Sequence, residues 1–213
     1  MTAHRSLARR AVSVAAVVTA VVTASVVLAA CGSDDSHDSH DAGSSPSTSA
    51  SASAPASAGA HNTQDVAFAK GMIPHHRQAV QMAALAESRA SSPEVKSLAA
   101  DIKKAQDPEI RTMSGWLTSW GEQVPEDMPG MDHSGHNMPG MMGAGDMAEL
   151  EKMSGKEFDT AFLDMMVKHH QGAVEMARTE NSKGSYRPAR TMADAIIRSQ
   201  SAEIEQMNKL LKK

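Results

Sequence analysis

Apolar positions recur at helical spacing from residue 62 to the end of the chain. Asp65, Phe68, Met72, His75, Ala79 and Met82 follow alternating steps of three and four, which places them on one face of a helix. Asn62 is positioned to cap its start. Ser92-Pro93-Glu94 predicts a second helix, with Ser as N-cap and Pro in the first turn. Its inward stripe is Ala99, Ile102, Gln106, Glu109, Met113 and Trp116. Ser154-Gly155-Lys156-Glu157 reads as a capping box. It opens a third helix with Asp159, Phe162, Met166, His169, Ala173 and Met176 on one face. Gly184 can end that helix and Ser185 can cap a fourth, whose stripe is Ala193, Ile196, Gln200, Glu203, Ile204 and Met207.

The third and fourth helices repeat the first and second. Phe68-x6-His75-His76-x2-Ala79-Val80-x-Met82-Ala83 returns as Phe162-x6-His169-His170-x2-Ala173-Val174-x-Met176-Ala177, at an offset of 94 residues. The offset holds without a gap from Asp65 to Met113, which marks an internal duplication. Two hairpins with apolar stripes bury them best against each other, so the expected fold is all-α, a single four-helix bundle over residues 62–213. Aromatic residues are few, and Leu, Ile, Val, Ala and Met must fill its core. The copies differ at Pro74, matched by Lys168, and at Pro108, matched by Ala202. Each proline deletes a helical hydrogen bond and predicts a kink; the one at Pro74 would re-aim the adjacent His75.

Residues 1–30 carry Arg5, Arg9 and Arg10 followed by an Ala/Val run, the pattern of a secretory signal. Leu28-Ala29-Ala30-Cys31 resembles a lipobox, which makes Cys31 a lipidated mature N-terminus; a membrane-spanning anchor is the alternative reading of the same run. Residues 31–61 continue as a Ser, Ala, Gly, Asp and Pro-rich segment that reads as a flexible linker. Removing residues 1–30, with three arginines and no acid, takes the formal charge from −4 to −7. An acidic chain without a basic patch argues against nucleic acid as a partner. Cys31 is the only cysteine, so a folded part beyond it has no disulfide and no thiolate ligand.

Any metal chemistry therefore falls to His, Met, Asp and Glu. Soft ions such as Cu(I) and Ag(I) prefer thioether and imidazole donors and accept few of them. Met72 stands one helical turn from His75 and His76, and Met166 has the same relation to His169 and His170. Residues 125–147, between the hairpins, hold Met128, Met131, Met138, Met141, Met142 and Met147 with His133 and His136. Gly and Pro there argue against a regular helix, and an exposed methionine has no packing reason to be present. Met82, Met113, Met176, Met192 and Met207 read as core filler. Glu109 and Glu203 sit on the inward stripes, as ligands or as hydrogen-bond partners for ligating imidazoles. Asp65 and Asp159 are accounted for by the helix dipole.

The paired Phe-x6-His-His-x2-Ala-x2-Met segments precede Leu98-Ala99-x2-Ile102-x3-Gln106-x2-Glu109-Ile110-x2-Met113 and Met192-Ala193-x2-Ile196-x3-Gln200-x2-Glu203-Ile204-x2-Met207. Residues 62–213 thereby resemble the family catalogued as domain of unknown function 305. The resemblance implies a ferritin-like four-helix bundle, and for exported members of the CopM type it implies Cu(I) binding through Met and His. The expected function is that of a copper-binding lipoprotein, held outside the cytoplasm by Cys31 on the bacterial cell membrane. It would sequester Cu(I), or Ag(I), or pass the ion to a copper-transfer protein, and it would not be an enzyme. Two other readings stand beside this one. A ferritin-like di-iron oxidase needs Glu-x-x-His pairs, whereas the residues three before the four histidines are Met72, Ile73, Met166 and Val167. A structural or interaction bundle would use the histidines as core hydrogen-bonders.

Overall fold

The protein is described by a computed structural model over residues 60–126 and 138–213. The signal segment, Cys31, nearly all of the linker, and Met128, Met131, His133 and His136 lie outside the described residues. Five helices follow in order: α1 (Thr63–Arg89), α2 (Pro93–Ser119), α3 (Ala144–Leu150), α4 (Gly155–Lys183) and α5 (Arg187–Leu210). The four long ones are the predicted two hairpins. α1 packs along α2, α4 along α5, and α1 against α4, so α1 and α4 form the central pair.

The stripes on α1 and α4 are buried as expected, with one difference: Met176 is only partly buried, while its counterpart Met82 is fully buried. On α2 the stripe drifts at its end, where Leu117 is buried and Trp116 lies at the boundary. A 3.6-residue helix rotates slowly past a heptad pattern, which accounts for the drift. Pro74 and Pro108 sit within helices assigned as continuous. α3 corrects the expectation of a helix-free interhelix segment, since it begins at Ala144. Gly143 precedes it and donates its N–H to Asp146 Oδ2 at 3.0 Å. A short helix thus fits after the last of the loop glycines and prolines except Gly145.

Apolar packing is divided in two. One cluster joins Met82, Leu98, Ile102, Phe158, Phe162 and Met166; the other joins Phe68, Met72, Ile73, Met113, Leu117 and Ile196. On the sequence, the four histidines fall between the segments that supply these clusters on α1 and α4. Burying a side chain of this size contributes roughly 1.5–3 kcal/mol. A buried polar group left unpaired costs about 1–3 kcal/mol, so the two clusters are large enough to carry a polar layer.

The hairpins are tied by two reciprocal caps. Asn62 caps α1 as expected, and Asp65 accepts from its N–H at 2.6 Å. Asp65 also accepts from Ser185 N, Ser185 Oγ and Tyr186 N at 3.1, 3.0 and 2.9 Å, at the start of α5. In the other direction Asp159 accepts from Ser91 N at 3.0 Å, from Ser92 N at 2.9 Å, and from Ser91 Oγ. Each aspartate of one hairpin closes the N-terminal end of the second helix of the other. The dipole explanation covers only part of their role. Two predicted caps also differ. Tyr186, not Ser185, is the N-cap of α5, and Ser154 caps α4 without a side-chain hydrogen bond.

Only the Asp65 side carries a second buried acid, Glu180, whose counterpart in the first half is Ala86. Burial, the hydrogen bond to Asp65 and the charge of Asp65 push the Glu180 carboxyl up to about 8. Burial works to raise Asp65 as well, but bonds from Glu180, Asn62, Tyr186 and Ser185 outweigh it and hold Asp65 below its usual value.

Asp159→Ala should destabilise the chain by about 2 kcal/mol, the loss of a buried multi-donor cap, read as a lower urea midpoint. The raised Glu180 pKa means that its contribution is complete below about 4.5 and lost as pH rises through about 8. The urea midpoint should therefore fall between pH 6 and pH 9, and Glu180→Gln, which keeps a donor toward Asp65, should remove most of that fall. An unchanged pH dependence in the variant would contradict the assignment.

Candidate metal centre

α1 and α4 bring the two His-His pairs together at the middle of the bundle. His75, His76, His169 and His170 are all buried, at most 1 % exposed. The rings of His75 and His169 face each other with centroids 3.8 Å apart and planes tilted by 43°. This contact joins the two copies of the repeat at equivalent positions. His169 and His170 rings lie 6.5 Å apart.

Each outer histidine turns to its own hairpin partner. His76 Nε2 meets Glu109 Oε2 at 2.7 Å, and His170 Nε2 meets Glu203 Oε2 at 2.5 Å. A carboxylate only accepts, so Nε2 carries a proton in each ring, and Nδ1 is the nitrogen turned away from the carboxylate. Both Nδ1 atoms are buried without a partner among the described residues. The arrangement is that of a carboxylate orienting an imidazole for a metal on its other nitrogen. Both glutamates, expected as ligands or as partners of ligating imidazoles, are hydrogen-bonded to these rings.

The inner pair is different. His75 Nε2 donates to the Pro139 carbonyl at 3.1 Å, while its Nδ1 has no partner. Neither nitrogen of His169 has a hydrogen-bond partner among the described residues. Burial, and then the neighbouring histidines, hold both rings in the neutral form, His75 down at about 3 and His169 well below its ordinary range. A neutral imidazole offers a lone pair to a metal even in mild acid. Gln106 and Gln200, one turn before Glu109 and Glu203, add two more buried oxygens without partners.

A strap formed by residues 138–142 covers this layer. Gln78 of α1 grips it at both polar groups of Met142, donating to the carbonyl at 2.9 Å and accepting from the N–H at 2.8 Å. On α4 the strap lies against Gly172, where an added Cβ would stand 1.9 Å from the Pro139 oxygen. Gly140 turns the strap with φ of +79°, and a Cβ there would meet the Lys168 carbonyl at 2.6 Å. Any side chain at position 172, and any L side chain at 140, would lift the strap off α4. Gln78 and Gly172 are equivalent positions in the repeat, and the sequence reading did not single them out. The available signal was Gly172 itself, a glycine inside a long helical pattern, which costs about 1 kcal/mol against Ala and so points to a close approach.

Of the expected donors, Met72 and Met166 are fully buried, one in each apolar cluster on either side of the histidine layer. Met138, Met141 and Met142 are partly buried in the strap. Among the described residues no three His, Cys, Asp or Glu side chains converge on one point. A tetrahedral or octahedral site of those donors is therefore not built here. Imidazole and thioether donors of this kind suit soft ions, which are content with two or three of them.

The family model described as domain of unknown function (DUF305) matches residues 65–211. Solved structures of similar fold include a DUF305 protein from Streptomyces coelicolor described as secreted, 34% identical, with a TM-score of 0.63, over 70% of this chain and 92% of that one. A DUF305 fragment from Deinococcus radiodurans is 30% identical with a TM-score of 0.64, over 71% of this chain and 97% of that one. CopM in the Cu(I)-bound form is 34% identical with a TM-score of 0.58, over 70% of this chain and 95% of that one; CopM has also been solved with Cu(II) and with Ag bound. No match was found among curated proteins. The extent of the family match, together with the paired histidine helices that it spans, shows that this chain belongs to the DUF305 family.

Proposed function

We propose that this protein binds copper outside the cytoplasm, sequestering Cu(I), and Ag(I) as a second soft ion, or passing the ion to a transfer partner without catalysing a reaction. The observation that carries the reading is the His75–His169 ring contact, a pair that is neutral, buried and has three of its four ring nitrogens without a partner among the described residues. Neutral imidazoles with free lone pairs, methionines on both sides and no cysteine form a donor set for soft ions. Similarity to CopM, solved with Cu(I), Cu(II) and Ag, supports the same direction. In this reading Met72, Met166 and the four histidines hold the ion, and the segment 125–147 captures it through Met128, Met131, His133, His136, Met138, Met141 and Met142.

The location draws on similarity to the secreted Streptomyces protein and on the leader pattern of residues 1–30. No helix among the described residues is long and apolar enough to cross a membrane. In this reading a lipid on Cys31 attaches the protein to the membrane, and mass spectrometry of the membrane fraction would detect it.

A structural role for the histidines draws on the bonds from His75, His76 and His170. It accounts less well for His169, whose ring nitrogens find no side-chain partner among the described residues. A di-iron oxidase would need several carboxylates and histidines around two irons, against the absence of any converging three among the described residues.

An anaerobic Cu(I) titration of the full chain against a chromogenic chelator tests the proposal. The wild type should withdraw copper from the chelator. Replacing His75, His76, His169 and His170 by Gln should abolish the bundle's share while the circular dichroism stays helical. Failure of the wild type to compete with even a weak chelator would sink the copper reading. Loss of helicity without loss of copper would favour the structural one. Glu109→Gln and Glu203→Gln should each weaken copper binding by roughly 10–100-fold, the usual effect of removing the group that orients a ligating imidazole.

A further inference from the structure

Gly71 lies one turn before His75 on α1, beneath the strap. A Cβ built on it would stand 2.9 Å from Met176 Cε and 3.6 Å from Met138 Sδ. Two thioether side chains, one from α4 and one from the strap, thus converge over a residue with no side chain of its own.

The duplication shows that this meeting is particular to one half. The counterpart of Gly71 is Met165, and the counterpart of Met176 is Met82, fully buried in an apolar cluster. Met176 has instead left full burial and faces the strap. Core packing accounts for Met82; Met176 lies at the edge of the second apolar cluster and reaches Met138 as well.

Met138 is also held in place by the backbone. The next residue gives its carbonyl to His75 and packs on Gly172, which stands one turn before Met176 on α4. Docking of the strap therefore sets Met138 beside Met176. Thioether sulfur is neutral, polarizable and soft, and it discriminates in favour of monovalent soft ions over hard cations. Methionine has three rotatable bonds, so small rotations suffice to turn two sulfurs toward one ion in the space above Gly71.

We propose that Met138 and Met176 form a two-thioether site for Cu(I) or Ag(I) over Gly71, distinct from the imidazole layer and complete only when the strap is docked. The site rests on the soft-metal reading above and adds to it a ligand, Met176, and a position at the strap's edge. An ion held there lies next to the carbonyl that covers His75, which makes the site a waypoint between the methionine-rich segment and the histidines.

The test is an Ag(I) titration of the full chain carrying ¹³C-methyl methionine, followed by NMR. The methyl signals of Met138 and Met176 should move together within the same equivalent of silver, while Met113, fully buried in the core, stays still. Met138→Leu and Met176→Leu, which keep volume and remove sulfur, should each weaken one equivalent at least tenfold in chelator competition, and the double variant should lose that equivalent and keep the others. If silver is taken up while these two methyl signals do not move together, or if the double variant binds as many ions as the wild type, the site is refuted and the wider copper reading survives. If the wild type takes up neither Ag(I) nor Cu(I), both fall.

Discussion

Four imidazoles buried at the centre of a helical bundle must be held in place away from water, and much of the remaining architecture answers to that constraint. Glu109 and Glu203 reach in from α2 and α5 to fix His76 and His170. The strap contributes the Pro139 carbonyl to His75. His169 finds no partner among the described residues, and burial without one is costly enough that the apolar clusters on either side must offset it. Such a layer is poorly suited to stability alone. An all-apolar core of the same volume would avoid that cost, which is why the layer reads as the functional part of the bundle.

The duplication supplies the frame within which this layer is built. Because α1 and α4 are copies, their central histidines meet at equivalent positions, and two donors on one helix become four at one level. The same symmetry produces the reciprocal caps: Asp65 holds the start of α5 and Asp159 the start of α2. Each cap joins residues far apart in the chain, so the hairpins are fastened at both ends of the histidine layer as well as through their apolar faces.

Departures from symmetry mark where the copies were given separate tasks. Gln78 and Gly172 occupy one repeat position, yet the first grips the strap through hydrogen bonds and the second admits it by having no side chain. Gly71 and Met165, like Ala86 and Glu180, show the same divergence. The strap can lie across only one face of the central pair, so residues touching it could not remain identical in both copies.

The chain's periodicity determined the four long helices, their pairing into hairpins and the inward position of His75 and His169, because heptad spacing follows from local geometry alone. The caps at Asn62 and Ser92 were legible for the same reason, being contacts within a few residues. Tertiary structure decided the rest. That Asp65 and Asp159 cap helices of the opposite hairpin depends on contacts across 68 and 120 residues. That Met72 and Met166 fall into opposite apolar clusters, and that a stretch of the methionine-rich segment docks over His75, depends on how two hairpins are set against each other. Spacing along a helix states which side chains share a face; only the packing of one face on another states which of them meet.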